Sequence, residues 1–323
     1  MQISRLSKHP EASVVAVDVG GTFVRAGSAV LSTGDVSSGA QIGTDALREN
    51  DPIEVLVALI GGEMARLARQ PVGVVIGVPG FMDGTQRSIV ETPNVRSLRG
   101  VALADRLESK LGLPVWLEHD AALLTRGEYA KGSARHCETV LAVYFGTGVG
   151  AAFLHYGRPL PMGPFRMQLG HIPVRGEGRI CACGGMDCVE PYASGPVLID
   201  LAARHGTSID QLFEASVANG ALATAVAQFL SDQAIAVATA ITLLDPGVVV
   251  IGGGIPTMRG YPFDALQQEI RRRLSPVRER ARPRIALAEL GTAAVLHGAA
   301  NLVAQHLDDP NPVETSKSEV NNR

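Results

Sequence analysis

The feature that most constrains the fold of this chain is a pattern that occurs twice. Residues 14–18 form a short apolar run that ends in the turn Asp-Val-Gly-Gly-Thr, and residues 139–145 form a second run that ends in Gly-Thr-Gly-Val-Gly. An apolar segment follows each turn, which predicts a strand hairpin around a glycine-rich turn. Two such halves indicate an internally duplicated α/β fold.

Apolar periodicity and turn residues predict the other elements. In the first half we expect strands at 14–18, 23–30, 36–42, 72–77 and 114–117, with helices at 52–69 and 101–111. In the second half we expect strands at 139–145, 151–155, 247–251 and 284–287, with helices at 195–204, 209–215, 220–244, 263–274 and 292–306. The expected division is a smaller lobe over 1–120 completed by the helix at 292–306, a larger lobe over 121–291 with an irregular insertion at 170–190, and a disordered tail over 307–323.

The composition favours buried strands and argues against two classes of partner. Of the 323 residues, 46% are hydrophobic but only 4% are aromatic, so we expect a core of Val, Ala, Leu and Ile. The formal net charge of −3 gives no basic footprint for nucleic acid. We expect no membrane-spanning run, and the apolar stretch before Asp18 is too short for a signal peptide. Reduced thiols and no export signal predict a cytoplasmic protein.

A cluster of metal-ligand residues lies in the second half. His171, Cys181, Cys183 and Cys188 fall within eighteen positions, and three thiols with one imidazole are a donor set for tetrahedral structural Zn²⁺. The fourth cysteine of the chain, Cys137, lies outside the cluster. A disulfide would leave one thiol of the cluster unpaired, whereas zinc uses all three. A chance cluster of surface thiols is the alternative.

The first glycine turn has the composition of a phosphate site. Backbone N–H groups at Gly20 and Gly21 can approach a phosphate without obstruction by a Cβ atom, and Thr22 adds a hydroxyl donor. Asp18 lies just before the turn and is suited to hold Mg²⁺, which prefers carboxylate and phosphate oxygens. A plain hairpin turn is the alternative.

Two further glycine turns follow apolar runs in the second half. One is a phosphate-type turn at the matching position of that half, made of Gly146, Thr147, Gly148 and Gly150. The other can let a flat ring or a ribose lie against the backbone, and it is made of Gly252, Gly253 and Gly254. The sequence has no GxGxxG motif, so a Rossmann dinucleotide site has little support.

Together, the His/Cys cluster and the Asp-x-Gly-Gly-Thr turn resemble the ROK family (repressor, open reading frame, kinase) of sugar kinases. The resemblance runs from about residue 14 to about residue 304. It implies an α/β fold of the ribonuclease-H-like, actin/hexokinase type, with two lobes and an active site in the cleft between them. It also implies ATP, Mg²⁺ and a hexose as ligands, an adenosine site at residues 252–254, and a homodimer.

Asp120 is predicted to be the catalytic base. It follows an apolar strand and precedes a helix, which places its carboxylate at the carboxyl end of a sheet, where ligands collect. Phosphoryl transfer to a sugar hydroxyl needs a carboxylate within reach to accept the proton. A helix N-cap is the alternative role. The ROK motif is usually Glu-Asn-Asp-Ala-Asn, whereas this chain has Glu-His-Asp-Ala-Ala over residues 118–122.

The resemblance assigns the sugar contacts residue by residue. The matching positions of this chain are Gly80, Asn94, His119, Asp120, Gln168, His171 and Glu190. His171 is implied to bind zinc through one ring nitrogen and a sugar hydroxyl through the other. The main departure is Gln168, because family members typically have Glu three positions before the histidine. A neutral amide donates as well as accepts, so this departure bears on substrate identity and activity.

Within the family, the segments at 88–94, 144–150 and 169–173 look closest to bacterial D-allose kinases, which makes D-allose the expected substrate. Glucokinase, fructokinase and N-acetylmannosamine kinase share the same framework and are the alternatives. A sugar-binding protein of low catalytic activity is the alternative of another class, given Gln168 and His119. A sugar-sensing repressor is not expected, because only thirteen residues precede Val14 and they contain no basic recognition helix.

Overall fold

The computed structural model describes residues 11–92, 95–160, 163, 167–277 and 283–308. The chain divides into two compact units. The first unit comprises Met1–Ala130, Met162–Pro164 and Thr292–Arg323, and the second comprises Lys131–Pro161 and Phe165–Gly291. Each unit contains one five-stranded sheet with helices packed against it.

The strands are β1 Ser13–Val19, β2 Phe23–Val30, β3 Val36–Gly43, β4 Val74–Val78, β5 Phe81–Met82, β6 Ile89–Glu91, β7 Val115–His119, β8 Thr139–Phe145, β9 Val149–His155, β10 Arg158–Pro159, β11 Val248–Gly252 and β12 Arg284–Leu287. The helices are α1 Asp45–Glu49, α2 Pro52–Met64, α3 Leu103–Leu111, α4 Asp120–Ala130, α5 Glu190–Ala193, α6 Gly195–Arg204, α7 Leu212–Ala218, α8 Gly220–Leu244, α9 Phe263–Arg273 and α10 Ala293–Asp308. The described residues also contain short 3₁₀ turns at Arg96–Leu98, Leu169–His171 and Ile209–Gln211.

In the first unit the strand order is β3-β2-β1-β4-β7, with β1, β4 and β7 parallel. The strands alternate their side chains between two apolar layers, as the period of two requires. Val15 and Val17 pack with α2 and α3, while Val14 and Ala16 pack with α4 and α10. Helices therefore cover both faces, which explains why β1 is apolar almost throughout.

The second unit repeats this topology. Its strand order is β10-β9-β8-β11-β12, in which β8 and β9 form the antiparallel hairpin and β11 and β12 continue in parallel. Leu141, Val143 and Val249 of this sheet share one core with side chains from α6 to α9. The duplicated α/β fold predicted from the two glycine turns is therefore present in the described residues.

The boundary between the units lies ten residues later than the boundary expected at residue 120. Helix α4 belongs to the first unit because it packs tightly on α10. A Cβ atom at Gly127 would lie 2.0 Å from the carbonyl oxygen of Ala294, and one at Gly298 would lie 2.0 Å from that of Leu123. Two helical glycines thus allow the helix backbones to touch, and α10 completes the first unit.

Helix α8 meets the length and composition criterion for a membrane span, although no run of that kind was expected from the sequence. By length and composition it qualifies, since its most apolar 18-residue window has a mean hydropathy of 1.3. In the structure 61% of that window is buried inside the protein. The helix is apolar because it forms the core of the second unit, where Val237, Ala240 and Ile241 have almost no exposure.

Several boundaries differ from the predicted ones. Helix α2 ends at Met64 rather than near residue 69, and of the residues that follow it up to 69 only Leu67 is partly buried against the core. Helix α1, strands β5, β6 and β10, and the single turn of α5 were not predicted. Residues 307–308 continue α10 instead of joining the expected disordered tail. The rest of that tail lies outside the described residues.

Candidate active site

In the first unit, the predicted site residues follow three neighbouring parallel strands. The turn with Gly20, Gly21 and Thr22 follows β1, Gly80 follows β4, and Asp120 follows β7, whose last residue is His119. Because the carboxyl ends of parallel strands meet at one edge of a sheet, these residues lie along a single edge. Asp18, the second-last residue of β1, lies at the same edge.

Two carboxyl groups at this edge have shifted proton affinities. Burial raises the pKa of Asp120 to about 6, the N–H of Ala121 lowers it in part, and the negative charge of Asp18 raises it further. Burial also raises the pKa of Asp18, against the opposing charge of Arg25, whose Nη1 lies 3.7 Å from the Asp18 carboxylate. A carboxyl group that titrates near pH 6 is suited to accept a proton at neutral pH.

The glycine turn after β1 is closed by its own backbone. Gly20 N–H donates to the carbonyl of Phe23 over 2.9 Å, and a Cβ atom at Gly20 would lie 2.9 Å from that same oxygen. The Thr44 hydroxyl donates to the Gly20 carbonyl over 2.8 Å, and Arg48 donates to the Gly21 carbonyl over 3.0 Å. With two carbonyls of the turn engaged by the protein, the turn holds a fixed conformation.

Gly80 is required by its backbone geometry. Its φ of +103° is in the region that favours glycine, and a Cβ atom would lie 2.3 Å from the carbonyl oxygen of Glu91. The turn after β4 therefore packs directly on the segment that ends at Thr92. Asn94, predicted to contact the sugar from this segment, lies outside the described residues.

A buried ion pair, which was not predicted, lies at the junction of β7 and α4 that carries Asp120. Glu118 and Arg126 are 3% and 6% exposed, and their side chains approach to 3.3 Å. The Arg126 guanidinium also donates to Asn301 over 3.1 Å and to Gln305 over 2.7 Å, both on α10. The pair connects the end of β7 to α4, so it fixes the junction that carries Asp120.

In the second unit, the other two glycine turns follow the adjacent parallel strands β8 and β11. A Cβ atom at Gly252 would lie 2.7 Å from the ring of Tyr144, so glycine at this position makes room for a side chain of the protein itself. Gly253 has a φ of +95° and packs on the carbonyl of Phe145. Open space borders Gly254 and Gly146, so these two glycines leave room for a ligand.

Glu190 lies over the turn at residues 146–150. Its Oε2 accepts a hydrogen bond from the N–H of Val149 over 2.9 Å, and a Cβ atom at Gly148 would lie 2.4 Å from that oxygen. Gly148 is therefore needed to admit a carboxylate of the protein itself. The N–H of Gly146 is also used internally, since it donates to the Gly148 carbonyl over 2.9 Å. Thr147 lies in this turn, whereas Gly150, which was predicted to be part of it, lies in β9 and pairs with Tyr144 of β8.

The four predicted metal ligands come together in the second unit. Their donor atoms all lie within 4.8 Å of one another, with His171 Nδ1 at 3.6 Å from Cys181 Sγ and the Sγ atoms of Cys183 and Cys188 separated by 3.8 Å. Tetrahedral zinc with ordinary Zn–S and Zn–N bonds would place its ligand atoms about 3.6 to 3.8 Å apart. The donor set and these two separations fit Zn²⁺.

Gln168 begins the 3₁₀ turn that carries His171. Its carbonyl accepts from the N–H of His171 over 3.0 Å, and the preceding Met167 has a φ of +57°. The segment after the turn is hydrogen-bonded to the residue that follows the last cysteine, because Val189 N–H donates to the Ile172 carbonyl over 2.9 Å. The structure thus places Gln168, His171 and Glu190 on connected pieces of one unit.

Comparison with known proteins decides the family. The model of the ROK family matches residues 14–306. The chain belongs to the ROK family. A glucokinase of Streptomyces coelicolor is 27% identical over 329 residues, which cover 93% of this ROK chain and 98% of that relative. An N-acetyl-D-glucosamine kinase of Photobacterium profundum is 30% identical over 244 residues, which cover 70% and 78% of the two chains.

A solved structure supports the fold of this ROK protein over nearly its full length. The ROK family glucokinase of Streptomyces griseus, in complex with glucose and AMPPNP, matches with a TM-score of 0.76 and 26% identity, and the match covers 90% of this chain and 99% of that chain. The family and the actin/hexokinase-type α/β fold, both predicted from the sequence, are thereby confirmed. The roles of individual residues stay predictions.

Proposed function

We propose that this ROK protein transfers the γ-phosphoryl group of ATP to a hydroxyl of a hexose. ATP-dependent hexose kinase is the enzyme class of its full-length relatives and of this chain. The observation that carries the assignment of the reacting group is Asp120, a partly buried aspartate at the carboxyl edge of the first sheet, whose carboxyl pKa is raised to about 6. The phosphorylated hydroxyl is predicted to be O6.

Asp120 is proposed to accept the proton of the attacking hydroxyl. At pH 7 to 8 a carboxyl with a pKa of about 6 is mostly ionised, so it is ready to accept a hydrogen bond from the sugar. Its raised pKa also makes it a stronger base than an exposed aspartate. The Glu118–Arg126 pair would hold β7 and α4 in place while the proton moves.

ATP and Mg²⁺ would be held by the glycine turns and by Asp18. Mg²⁺ supplies charge neutralisation of the transferring phosphoryl group when it is bound. The Asp18 carboxylate and the turn at residues 20–22 would bind in the first unit, and the turn at residues 146–150 and Gly254 in the second. The open space beside Gly146 and Gly254 supports this assignment.

The proposed sugar contacts are the positions that the family resemblance assigns. They are Gly80, Asn94, His119, Gln168, His171 and Glu190. The Nδ1 atom of His171 faces the thiol of Cys181, which leaves its Nε2 atom to meet a hydroxyl. Glu190 keeps one carboxylate oxygen for a ligand while the other accepts from Val149.

The His/Cys₃ cluster is proposed to hold one structural Zn²⁺. The fit of the donor set and of its separations supports this, and the buried Cys181 and Cys188 indicate a closed site of the structural kind. The proposed role of the metal is to fix the segment that carries His171 and leads to Glu190. Metal analysis of purified active protein should find about one zinc per chain.

The preferred hexose is the finer part of the proposal. The named relatives act on glucose or N-acetyl-D-glucosamine by their descriptions, which makes glucose the first sugar to test. D-allose, indicated by the sequence segments around residues 88–94 and 169–173, stays a prediction. Fructose and N-acetylmannosamine complete the set. A cytoplasmic location, predicted from the reduced thiols, and a homodimer, implied by the family resemblance, are likewise predictions.

A coupled assay of ADP release tests the function. Purified protein is supplied with Mg²⁺-ATP and, in turn, glucose, allose, mannose, fructose, N-acetylglucosamine and N-acetylmannosamine. We expect sugar-dependent ADP release with kcat/KM differing clearly among the hexoses. Binding of a sugar without any ADP release would contradict the kinase proposal and would favour the sugar-binding alternative.

A further inference from the structure

We infer that Asp187 is a positioning residue that fixes the hexose-binding carboxylate Glu190 through Tyr192. This inference rests on the proposed function, since it takes Glu190 as a sugar contact. Asp187 lies between Cys183 and Cys188, so it links the metal segment to α5, whose first residue is Glu190. Neither the motifs nor the family resemblance assigns it a role.

Asp187 has an unusual backbone and a full set of partners. Its φ of +56° lies in the left-handed region, which an aspartate occupies at a cost that glycine would not incur. Its side chain is 8% exposed and accepts from the Tyr192 hydroxyl over 2.5 Å, the Arg179 N–H over 2.9 Å and the Gly178 N–H over 3.1 Å. An aspartate at this strained position is explained by what its carboxylate holds.

Both the hydroxyl and the ring of Tyr192 make contacts with charged side chains. Its side chain is 1% exposed, and the guanidinium carbons of Arg175 and Arg179 lie 4.8 Å and 4.3 Å from its ring centroid. Arg175 Nε in turn donates over 2.8 Å to Asp232, a buried residue of α8. The phenol therefore connects the Asp187 carboxylate to the core of the second unit.

Helix α5 needs such support because it is one turn long. A four-residue helix has too few internal hydrogen bonds to be stable alone, and no side-chain N-cap bond is found for it among the described residues. Tyr192 is the third residue of this helix and Glu190 the first. Holding Tyr192 consequently fixes the direction in which Glu190 leaves the backbone, and with it the carboxylate that contacts Val149.

Two variants remove the hydrogen bond between Tyr192 and Asp187 with little other change to the protein. Asp187→Gly keeps a residue that accepts a positive φ but deletes the carboxylate, and Tyr192→Phe keeps the ring but deletes the hydroxyl. In each we expect the KM for hexose to rise about threefold to tenfold, in line with the loss of one or more hydrogen bonds. The KM for ATP should change less than twofold, and zinc content should stay at about one per chain.

The double variant separates a shared link from two independent effects. Because both residues act through one hydrogen bond, the double variant should raise the hexose KM no more than the larger single variant does. Asp187→Asn tolerates the same backbone and retains an acceptor oxygen, so it should restore a hexose KM nearer to that of the wild type. Asp245→Gly is the matched control, since Asp245 is an exposed aspartate with a φ of +48° at the end of α8.

The outcomes distinguish this inference from the proposed function. An unchanged hexose KM in Tyr192→Phe, in protein that retains zinc, would overturn the inference and leave the kinase intact. A loss of zinc and of thermal stability with an equal change in both KM values would also overturn it, because that pattern is purely structural. If Asp187→Gly fails to fold, Tyr192→Phe decides alone. A wild-type protein that phosphorylates no hexose would refute the proposed function itself.

Discussion

The two units share one strand order but differ in what dominates around their carboxyl groups: desolvation at Asp120, which also accepts from the Ala121 N–H, and accepted hydrogen bonds at Asp187. In the first unit, burial raises the pKa of Asp120 and Asp18, and each adds negative charge near the sheet edge. In the second unit, Glu190 accepts from a backbone N–H, and Asp187 accepts from two of them and from a tyrosine. The same fold thus surrounds its carboxylates in two ways.

The difference shows how one topology supports two tasks. Desolvation disfavours the charged form of a carboxyl and makes it a better proton acceptor, whereas donated hydrogen bonds favour the charged form and fix its position. We therefore propose that Asp120 of the first unit transfers the proton and that Asp187 and Glu190 of the second unit help to position the substrate. The experiments below test that division, beginning with the largest expected effect.

Asp120→Asn should remove the proton acceptor while preserving shape. We expect kcat to fall by about 10²-fold or more, the usual contribution of a general base, with the hexose Kd little changed. Because the folded-state pKa is raised, ionised Asp120 opposes folding at pH values above about 6, so the variant should have an equal or higher Tm there.

The matched control for this variant is Asp264→Asn, which changes an exposed aspartate in the first turn of α9. Its kcat should equal that of the wild type. Near-normal turnover in Asp120→Asn would show that another group accepts the proton and would contradict the role proposed for Asp120.

Cys183→Ser should affect the second unit alone. Loss of one of four ligands should reduce bound zinc well below one per chain and lower the Tm by several degrees, because metal binding contributes to folding. The hexose KM should rise with it. Cys137→Ser is the control, since Cys137 lies outside the cluster, and it should leave zinc content, Tm and KM unchanged. Full zinc content in Cys183→Ser would contradict the four-ligand site.

Gln168→Glu is expected to have the smallest effect. A carboxylate can accept from two hydroxyls as a charged acceptor, whereas the amide offers one acceptor oxygen. The variant should raise kcat/KM for glucose by about tenfold, equivalent to about 1.4 kcal/mol of transition-state stabilisation, and should raise it less for allose. Measuring kcat/KM for the full set of hexoses in both proteins checks this. If both the ranking and the magnitudes of kcat/KM were unchanged, Gln168 would not contact the sugar.

Local patterns predicted most of the fold. Strand β8, helices α6 and α8, and strand β12 have the predicted bounds, because each is a clear apolar run or periodic segment between turn residues. The duplication was visible in two glycine turns. Helix α5 was missed because a single turn carries no periodicity, and the end of α2 was misplaced because Leu67 continues the apolar pattern into the turns that follow the helix.

The site was predictable only where its residues are adjacent in sequence. The four metal ligands and the three glycine turns are local motifs, and Asp120 follows from its place after a strand. Arg126 was missed because its partners on α10 lie about 175 residues away, and nothing local marks it. The contact of Tyr144 with Gly252 was missed for the same reason, as it depends on the pairing of β8 with β11.

The most direct test of the proton-transfer role proposed for the first unit is the pH dependence of kcat/KM for the hexose. Asp120 must be ionised to accept a proton, and its pKa is about 6. Lowering the pH through 6 should therefore reduce kcat/KM, approaching a tenfold loss per pH unit below that value, as expected for one essential carboxylate. A profile that stays flat from pH 7.5 down to pH 5 would contradict the assignment of proton transfer to the Asp120 carboxyl of the first unit.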